Sequence, residues 1–186
     1  MKEMKKNPHP GLFVVFEGLD GSGSSTQADL LVDRLSKKGY KSFSTKEPTD
    51  NIIGGLIRGQ LTHDWQAGME CMQLLFAVDR AHHLDREIIP VLKDGKIMIS
   101  DRYFFSSVAF GSLALDRNWL LSLNERFLYP DLTFLIRVPP KICMERIKRS
   151  RFSLEFFEEE KRLKKVWQTY KWLSQKFSNI VVLDGT

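Results

Sequence analysis

The chain has 186 residues with a net charge of +5, 42% of them hydrophobic and 27% charged. That length suits one domain with one sizeable core, and the balance excludes a disordered or fibrous chain. The modest positive charge fits an enzyme for anionic substrates, and equally a surface of solvated Lys and Arg.

The opening segment, residues 1–11, is basic and lacks the apolar core of a signal peptide, so it reads as an extension ahead of a single domain over 12–186. No uninterrupted apolar run approaches the length of a bilayer span, and no Arg/Lys tract interleaved with aromatics marks a surface for a nucleic acid polymer. Leu12 to Phe16 is a continuous apolar run, the pattern of a strand buried on both faces of a parallel sheet. A glycine-rich turn follows. Ala28, Leu31, Val32 and Leu35 then recur at helical spacing over 24–38, ending in Lys37, Lys38 and a Gly39 stop. Tyr40 to Ser44 predicts a second strand, and Glu47-Pro48 ends that stretch because a residue before proline avoids helical geometry. Ile52 to Leu61 predicts a short helix. Residues 64–92 predict one long helix, with Met69, Met72, Phe76, His83 or Leu84, Ile88 and Val91 on one side. Lys96 to Ser100 predicts a third strand with Asp101-Arg102-Tyr103 at its carboxyl end, and helical segments run on to about Leu128. Leu132 to Ile136 predicts a fourth strand, Pro139-Pro140 opens another helix, 154–177 is a charged amphipathic helix, and Asn179 to Leu183 predicts a fifth strand.

Strands alternating with helices imply βαβ units and a mainly parallel sheet, whose ligands collect beyond the carboxyl ends of the strands. The glycine-rich turn, Glu47-Pro48, Asp101-Arg102 and the segment after the fourth strand all fall on that edge. The two cysteines, Cys71 and Cys143, are far apart without metal spacing and read as buried free thiols in a reducing cytoplasm. His9, His63, His82 and His83 show no ligand pattern either.

Gly18 and Gly23 have the separation of a phosphate-binding P-loop, and Ser25 stands where a magnesium-binding hydroxyl belongs. With Gly21, they let backbone N–H groups turn toward an anion at the positive end of the next helix. The motif calls for lysine after the second glycine, and this chain has Ser24. Asp101 has the position of a Walker-B acid that holds magnesium through water while Ser25 binds it directly; the plainer reading is a cap on the following helix. Arg102 beside it suits a substrate phosphate or a surface salt bridge. Phe76 and Arg80 share one helical face, suited to stacking a base and bonding its edge, or, for the phenylalanine, to core packing. Arg146, Lys148, Arg149 and Arg151 form a basic cluster that reads as a solvated helix end or as an arginine-bearing lid near 146–154.

Together these residues resemble the thymidylate kinase family. The matching pieces, in order, are Phe16 to Gly23 with Ser25-Thr26-Gln27, Lys46 to Thr49, Gly55 to Arg58, Leu74 to Arg80, Ser100 to Phe110 and Pro130-Asp131-Leu132. The resemblance implies an α/β P-loop fold, a five-stranded parallel sheet flanked by helices with a short lid, commonly as a homodimer. It implies transfer of the γ-phosphoryl of ATP to dTMP with Mg2+, in the cytoplasm. ATP would then lie on Gly18, Gly21, Ser22, Gly23, Ser24, Ser25 and Thr26, and the metal on Ser25 and Asp101. For dTMP, Phe76 would stack on thymine, Arg80 would bond its carbonyl edge, and Asp20 would meet the 3′-hydroxyl. Arg58 and Arg102 would hold the phosphate, Phe110 would crowd the 2′ position, and Pro48 and Ser107 would complete the site. Gly21 follows Asp20, so the loop brings no arginine and the catalytic one would be Arg149 or Arg151. Three departures stand out: Ser24 in the lysine position, the short lid, and a chain ending at Leu183-Asp184-Gly185-Thr186, where the family usually continues into a last helix. The residues leave three readings open: a compensated kinase, a nucleotide binder impaired by Ser24, and a kinase for another pyrimidine deoxynucleotide.

Overall fold

The computed structural model describes residues 5–148 and 156–186. Five strands, β1 (Leu12–Gly18), β2 (Ser42–Lys46), β3 (Ile97–Asp101), β4 (Leu132–Arg137) and β5 (Ile180–Asp184), form one sheet in the order β2-β3-β1-β4-β5. All four pairings are parallel. Successive side chains of a strand point to opposite faces, and Phe13, Val14, Val15, Phe16 and Glu17 are all buried, so helices cover both faces of β1. This is the three-layer α/β arrangement the alternating pattern predicts.

The helices are α1 (Ser24–Lys37), α2 (Ile52–Leu61), α3 (Met69–His83), α4 (Ile89–Lys93), α5 (Phe104–Gly111), α6 (Arg117–Asn124), α7 (Pro140–Lys148) and α8 (Phe156–Lys176). Three expectations need correction. The second strand lies two residues later than Tyr40 to Ser44, because Tyr40 N–H still bonds Leu35 O at the end of α1, while Lys46 pairs with Asp101. The single helix over 64–92 is three pieces. Gly68 is the N-cap of α3, and a π-helical turn over Leu84–Ile88 separates α3 from α4. Pro90 supplies the reason: it has no N–H to give the carbonyl four residues back, and its ring crowds that carbonyl, so the preceding turn widens. Cys71 is exposed on the outer side of α3; only Cys143 is buried, and its thiol is pushed up to about 11 by burial.

The core is rich in rings. Phe104 and Phe105 of α5 are fully buried with centroids 4.1 Å apart, and Phe105 meets Phe177 edge-on at 5.3 Å. Each such side chain contributes about 1.5–3 kcal/mol by burial, which anchors α5 where it follows Asp101-Arg102. The described part of the extension is fastened alongside: Tyr129 N–H bonds Lys5 O, and Asn7 donates to Asp131. Among the described residues, no helix is long and apolar enough to cross a membrane.

Candidate active site

The glycine-rich turn closes between β1 and α1. Ser22 N–H donates to Leu19 O, and Gly21 and Gly23 take φ of +79° and +92°. At Gly21 a Cβ would also stand 2.6 Å from the Cys143 carbonyl oxygen of α7, so that position admits no side chain. No side chain caps the first turn of α1. By contrast, Asn51 Oδ1 caps α2, accepting from the Ile53 and Gly54 amides, and Asp116 Oδ1 caps α6, accepting from Asn118 and Trp119. An uncapped, positive helix N-terminus behind inward-turning amides is an anion site. Ser24 is buried there, and its short side chain cannot span two phosphates. A cation nevertheless reaches the loop: Arg146 Nη1 lies 3.2 Å from Ser22 O and 3.5 Å from Gly21 O, and its Nη2 donates to Gly185 O.

Beside that opening, Ser25 Oγ donates to Asp101 Oδ2 at 2.5 Å. Asp101 Oδ1 is buried with no partner, and so is Ser22 Oγ. Ser25 and Asp101 line a cavity of about 420 Å3 whose wall also includes Thr45, Lys46, Thr49 and Asp50. A carboxylate with a free oxygen next to a hydroxyl is a donor set of the kind Mg2+ prefers, so these residues fit the ion. Asp101 does not cap the following helix. The amides of Tyr103, the N-cap of α5, and of Ser106 in its first turn instead donate to Glu17 Oε1 at 3.0 and 3.1 Å.

Arg102 adopts a left-handed backbone, φ +71°, pinned by its N–H to Phe16 O. Its guanidinium donates to Gly18 O (3.1 Å), Ser106 Oγ (3.0 Å) and Asp20 Oδ1 (2.8 Å), and sits 5.4 Å from the Phe110 ring centroid. Burial works against its charge, but Tyr170, Asp20, Glu17 and Asp101 outweigh that and hold its pKa above the ordinary arginine value. Asp20, Arg102 and Phe110 thus meet at one place. Arg58, half-buried on α2, donates to Thr49 O and lies 3.5 Å from Asp50.

Phe76 and Arg80 do lie on one face of α3 and have different surroundings. Phe76 is half-buried, and it is not among the rings packed on the hydrophobic core cluster. Arg80 is fully buried. Its Nε and Nη2 grip Glu47 Oε2 at 2.9 and 2.6 Å, Nη1 donates to Asn124 Oδ1 (2.6 Å), and Nη2 also donates to Ser107 Oγ (3.0 Å). Four of its five N–H directions are therefore accounted for, and one on Nη1 is left over. Glu47 Oε1 is held by His83 Nδ1 at 3.2 Å, in the residue before the cis Glu47–Pro48 peptide.

The thymidylate kinase sequence profile matches residues 16–186. The chain belongs to the thymidylate kinase family. A probable thymidylate kinase of Thermococcus onnurineus is 42% identical over 183 residues, covering 94% of this chain and 89% of its own length. One of Methanocaldococcus jannaschii is 35% identical, with 94% and 87% covered. The thymidylate kinase of Thermosipho africanus is 37% identical, with 94% and 90% covered. As a thymidylate kinase family member the chain is a nucleoside monophosphate kinase, a phosphotransferase, and the resemblance read from the ordered motifs holds.

Two residues inside the matching motif pieces were given no role of their own by reading motifs. Glu17 and Glu47 are buried carboxylates that face Arg102 and Arg80, the arginines named from the kinase motifs. The Glu17 carboxyl is pushed up to about 7 by burial, against the opposing pull of Ser106, Arg102, Tyr170 and the Tyr103 amide. A lone acid closing the apolar run Phe13 to Phe16 was the available signal. Arg149, Arg151 and most of the lid near 146–154 lie outside the described residues.

Proposed function

We propose that the chain transfers the γ-phosphoryl group of ATP to dTMP, giving dTDP and ADP. A phosphate oxygen of dTMP forms the new bond to γ-phosphorus as the bond to the β-phosphate oxygen breaks, and the electron pair leaves on ADP. The P-loop from Gly18 through Gly21, Ser22, Gly23 and Ser24 to Thr26 holds the ATP phosphates by backbone N–H groups. Ser25 and Asp101 hold Mg2+, which supplies positive charge that offsets the phosphate oxygens. Arg102 and Arg58 grip the dTMP phosphate, Asp20 takes the 3′-hydroxyl, and Phe110 closes the 2′ side. Phe76 stacks on thymine against Pro48 and Ser107, and the remaining Arg80 N–H bonds the carbonyl edge. Arg149 or Arg151 covers the transferring group.

The observation that carries this reading is the unpartnered Asp101 Oδ1 beside Ser25 at the uncapped end of α1. Ser24 favours the second reading, an impaired binder, and Arg146 on the P-loop favours compensation, since phosphoryl transfer rests on summed charge and positioning. A second copy is proposed as a partner because Ile52 and Leu56 of α2 and Leu74 and Val78 of α3 expose apolar surface on helices packed together.

The test incubates wild type and Ser24→Lys with ATP, MgCl2 and each nucleoside monophosphate, and reads diphosphate formation. The expected result is dTMP best, dUMP next, purines poor, with Ser24→Lys equal or faster. A silent wild type rescued by lysine supports the impaired binder, and equal turnover of AMP or GMP overturns the thymine assignment. Phe76→Ala is the clean probe of base recognition. Arg80→Ala would also strand the buried Glu47 carboxylate, at about 3–5 kcal/mol of stability.

A further inference from the structure

Arg102 is held in place by something other than its own neighbours in sequence. Its Nη1–H ends on Ser106 Oγ, and a hydroxyl has one hydrogen and two lone pairs to distribute. The Ser106 hydrogen is taken by Glu17 Oε2 at 2.5 Å. A lone pair is therefore turned toward the guanidinium. Glu17 is itself fixed from two further sides. Its Oε1 accepts the Tyr103 and Ser106 amides at the start of α5, and its Oε2 also accepts the Tyr170 hydroxyl of α8 at 2.9 Å. Tyr170 lies 2.8 Å from Ser106 Oγ and meets the Phe110 ring edge-on, the same ring that Arg102 stacks over.

We propose that Glu17 and Tyr170 are positioning residues for Arg102, acting through the orientation of the Ser106 hydroxyl, so that the arginine presents its free edge to the acceptor phosphate. Without the carboxylate, the serine hydrogen is free to swing toward Nη1 and repel it. The guanidinium would then keep only Gly18 O and Asp20 as fixed partners. This rests on reading Arg102 as the dTMP-phosphate arginine.

The test is a double-mutant cycle on the full chain at pH 8.5, where the buried Glu17 carboxyl, raised to about 7, is ionised, with dTMP affinity measured by calorimetry and turnover measured separately. Glu17→Gln keeps shape and an acceptor for the amides but sets an NH2 donor against Ser106. It should weaken dTMP binding about tenfold or more while the KM for ATP stays within about twofold. In an Arg102→Ala background the same change should cost less than about twofold, because residues acting as a unit are not additive. Tyr170→Phe should do the same to a smaller degree. If Glu17→Gln fails to fold, Ser106→Ala and Tyr170→Phe run the cycle in its place. Losses that multiply with Arg102→Ala, or that fall equally on ATP and dTMP, make Glu17 a purely structural residue and overturn the proposal. A wild type that binds no dTMP overturns the reading of Arg102 instead, and the two failures are separable.

Discussion

Two helices begin at neighbouring strand ends, and their first turns are treated in opposite ways. α1 leaves β1 through the P-loop, and no side chain caps its amides. α5 leaves β3 after Asp101-Arg102, and two of its amides close on a buried carboxylate supplied by β1. The open end can take a phosphate from solution. The sealed end cannot, and its acid serves to orient the hydroxyl that meets Arg102. The same backbone device, a helix N-terminus on a sheet edge, is a ligand site when left bare and a scaffold when filled from inside.

The comparison breaks most completely at the open end. Asp101→Ala should lower dTDP formation by on the order of a hundredfold or more, since charge stabilisation at such a centre is worth several kcal/mol. Its melting temperature should hold or rise, because the truncation removes a buried oxygen, Oδ1, that has no partner, and the bond lost at Oδ2 leaves only the Ser25 hydroxyl, which is exposed to water. A variant that loses stability in parallel with turnover would return Asp101 to a structural role.

The sealed end should show itself in pH. The Glu17 carboxyl ionises near 4.5 in an unfolded chain and is raised to about 7 by burial in the fold. Between those values the folded chain keeps a proton that the unfolded chain has released. Its stabilising effect is complete below about 4.5 and is lost as pH rises through about 7, a change on the order of 3 kcal/mol. Melting temperatures of wild type should therefore fall across that window, and Glu17→Gln should flatten the fall. Equal slopes in both proteins would show that other groups carry the dependence.

Next in size comes the P-loop backbone. Gly21→Ala forces a side chain into φ +79° and against the Cys143 carbonyl, costing about 1–3 kcal/mol of stability. The KM for ATP should rise more than that for dTMP, because the strain lies on the open side. Unfolding midpoints and the two Michaelis constants check it together.

Sequence reading served the open end far better than the sealed one. Gly18 to Ser25 carry their meaning in local spacing, and every apolar run that predicted a strand is a strand. The end of β2 moved because pairing with β3 decides it, and Phe43 on that edge strand stays exposed. Glu17 gave only a weak signal because its partners come from elsewhere: Tyr170 is 153 residues away and Ser106 is 89. Glu47, just past β2, and Arg80 on α3 are 33 apart and meet only in the folded chain. Burial of a carboxylate is a tertiary fact, and motif spacing contains no trace of it.

The smallest effect sharpens the contrast by using a helix end with no ligand at all. Asp116 caps α6 with two bonds of 2.9 Å at a solvent-exposed turn and is itself no member of the proposed site, whose nearest residue in sequence is Phe110. Asp116→Ala removes the acceptor of two amides and should cost about 1 kcal/mol of stability, the usual worth of an N-cap. Turnover of dTMP should be unchanged within about twofold. Supplying an acid to the bare end, as Ser24→Asp, should do the reverse. It would place a carboxylate among amides that have no cap and among phosphates that need them, so dTDP formation should fall while the melting temperature holds or rises. Chemical denaturation and diphosphate assay on both variants decide it. If Asp116→Ala lost activity or Ser24→Asp kept it, the division between filled and open helix ends would not describe this molecule.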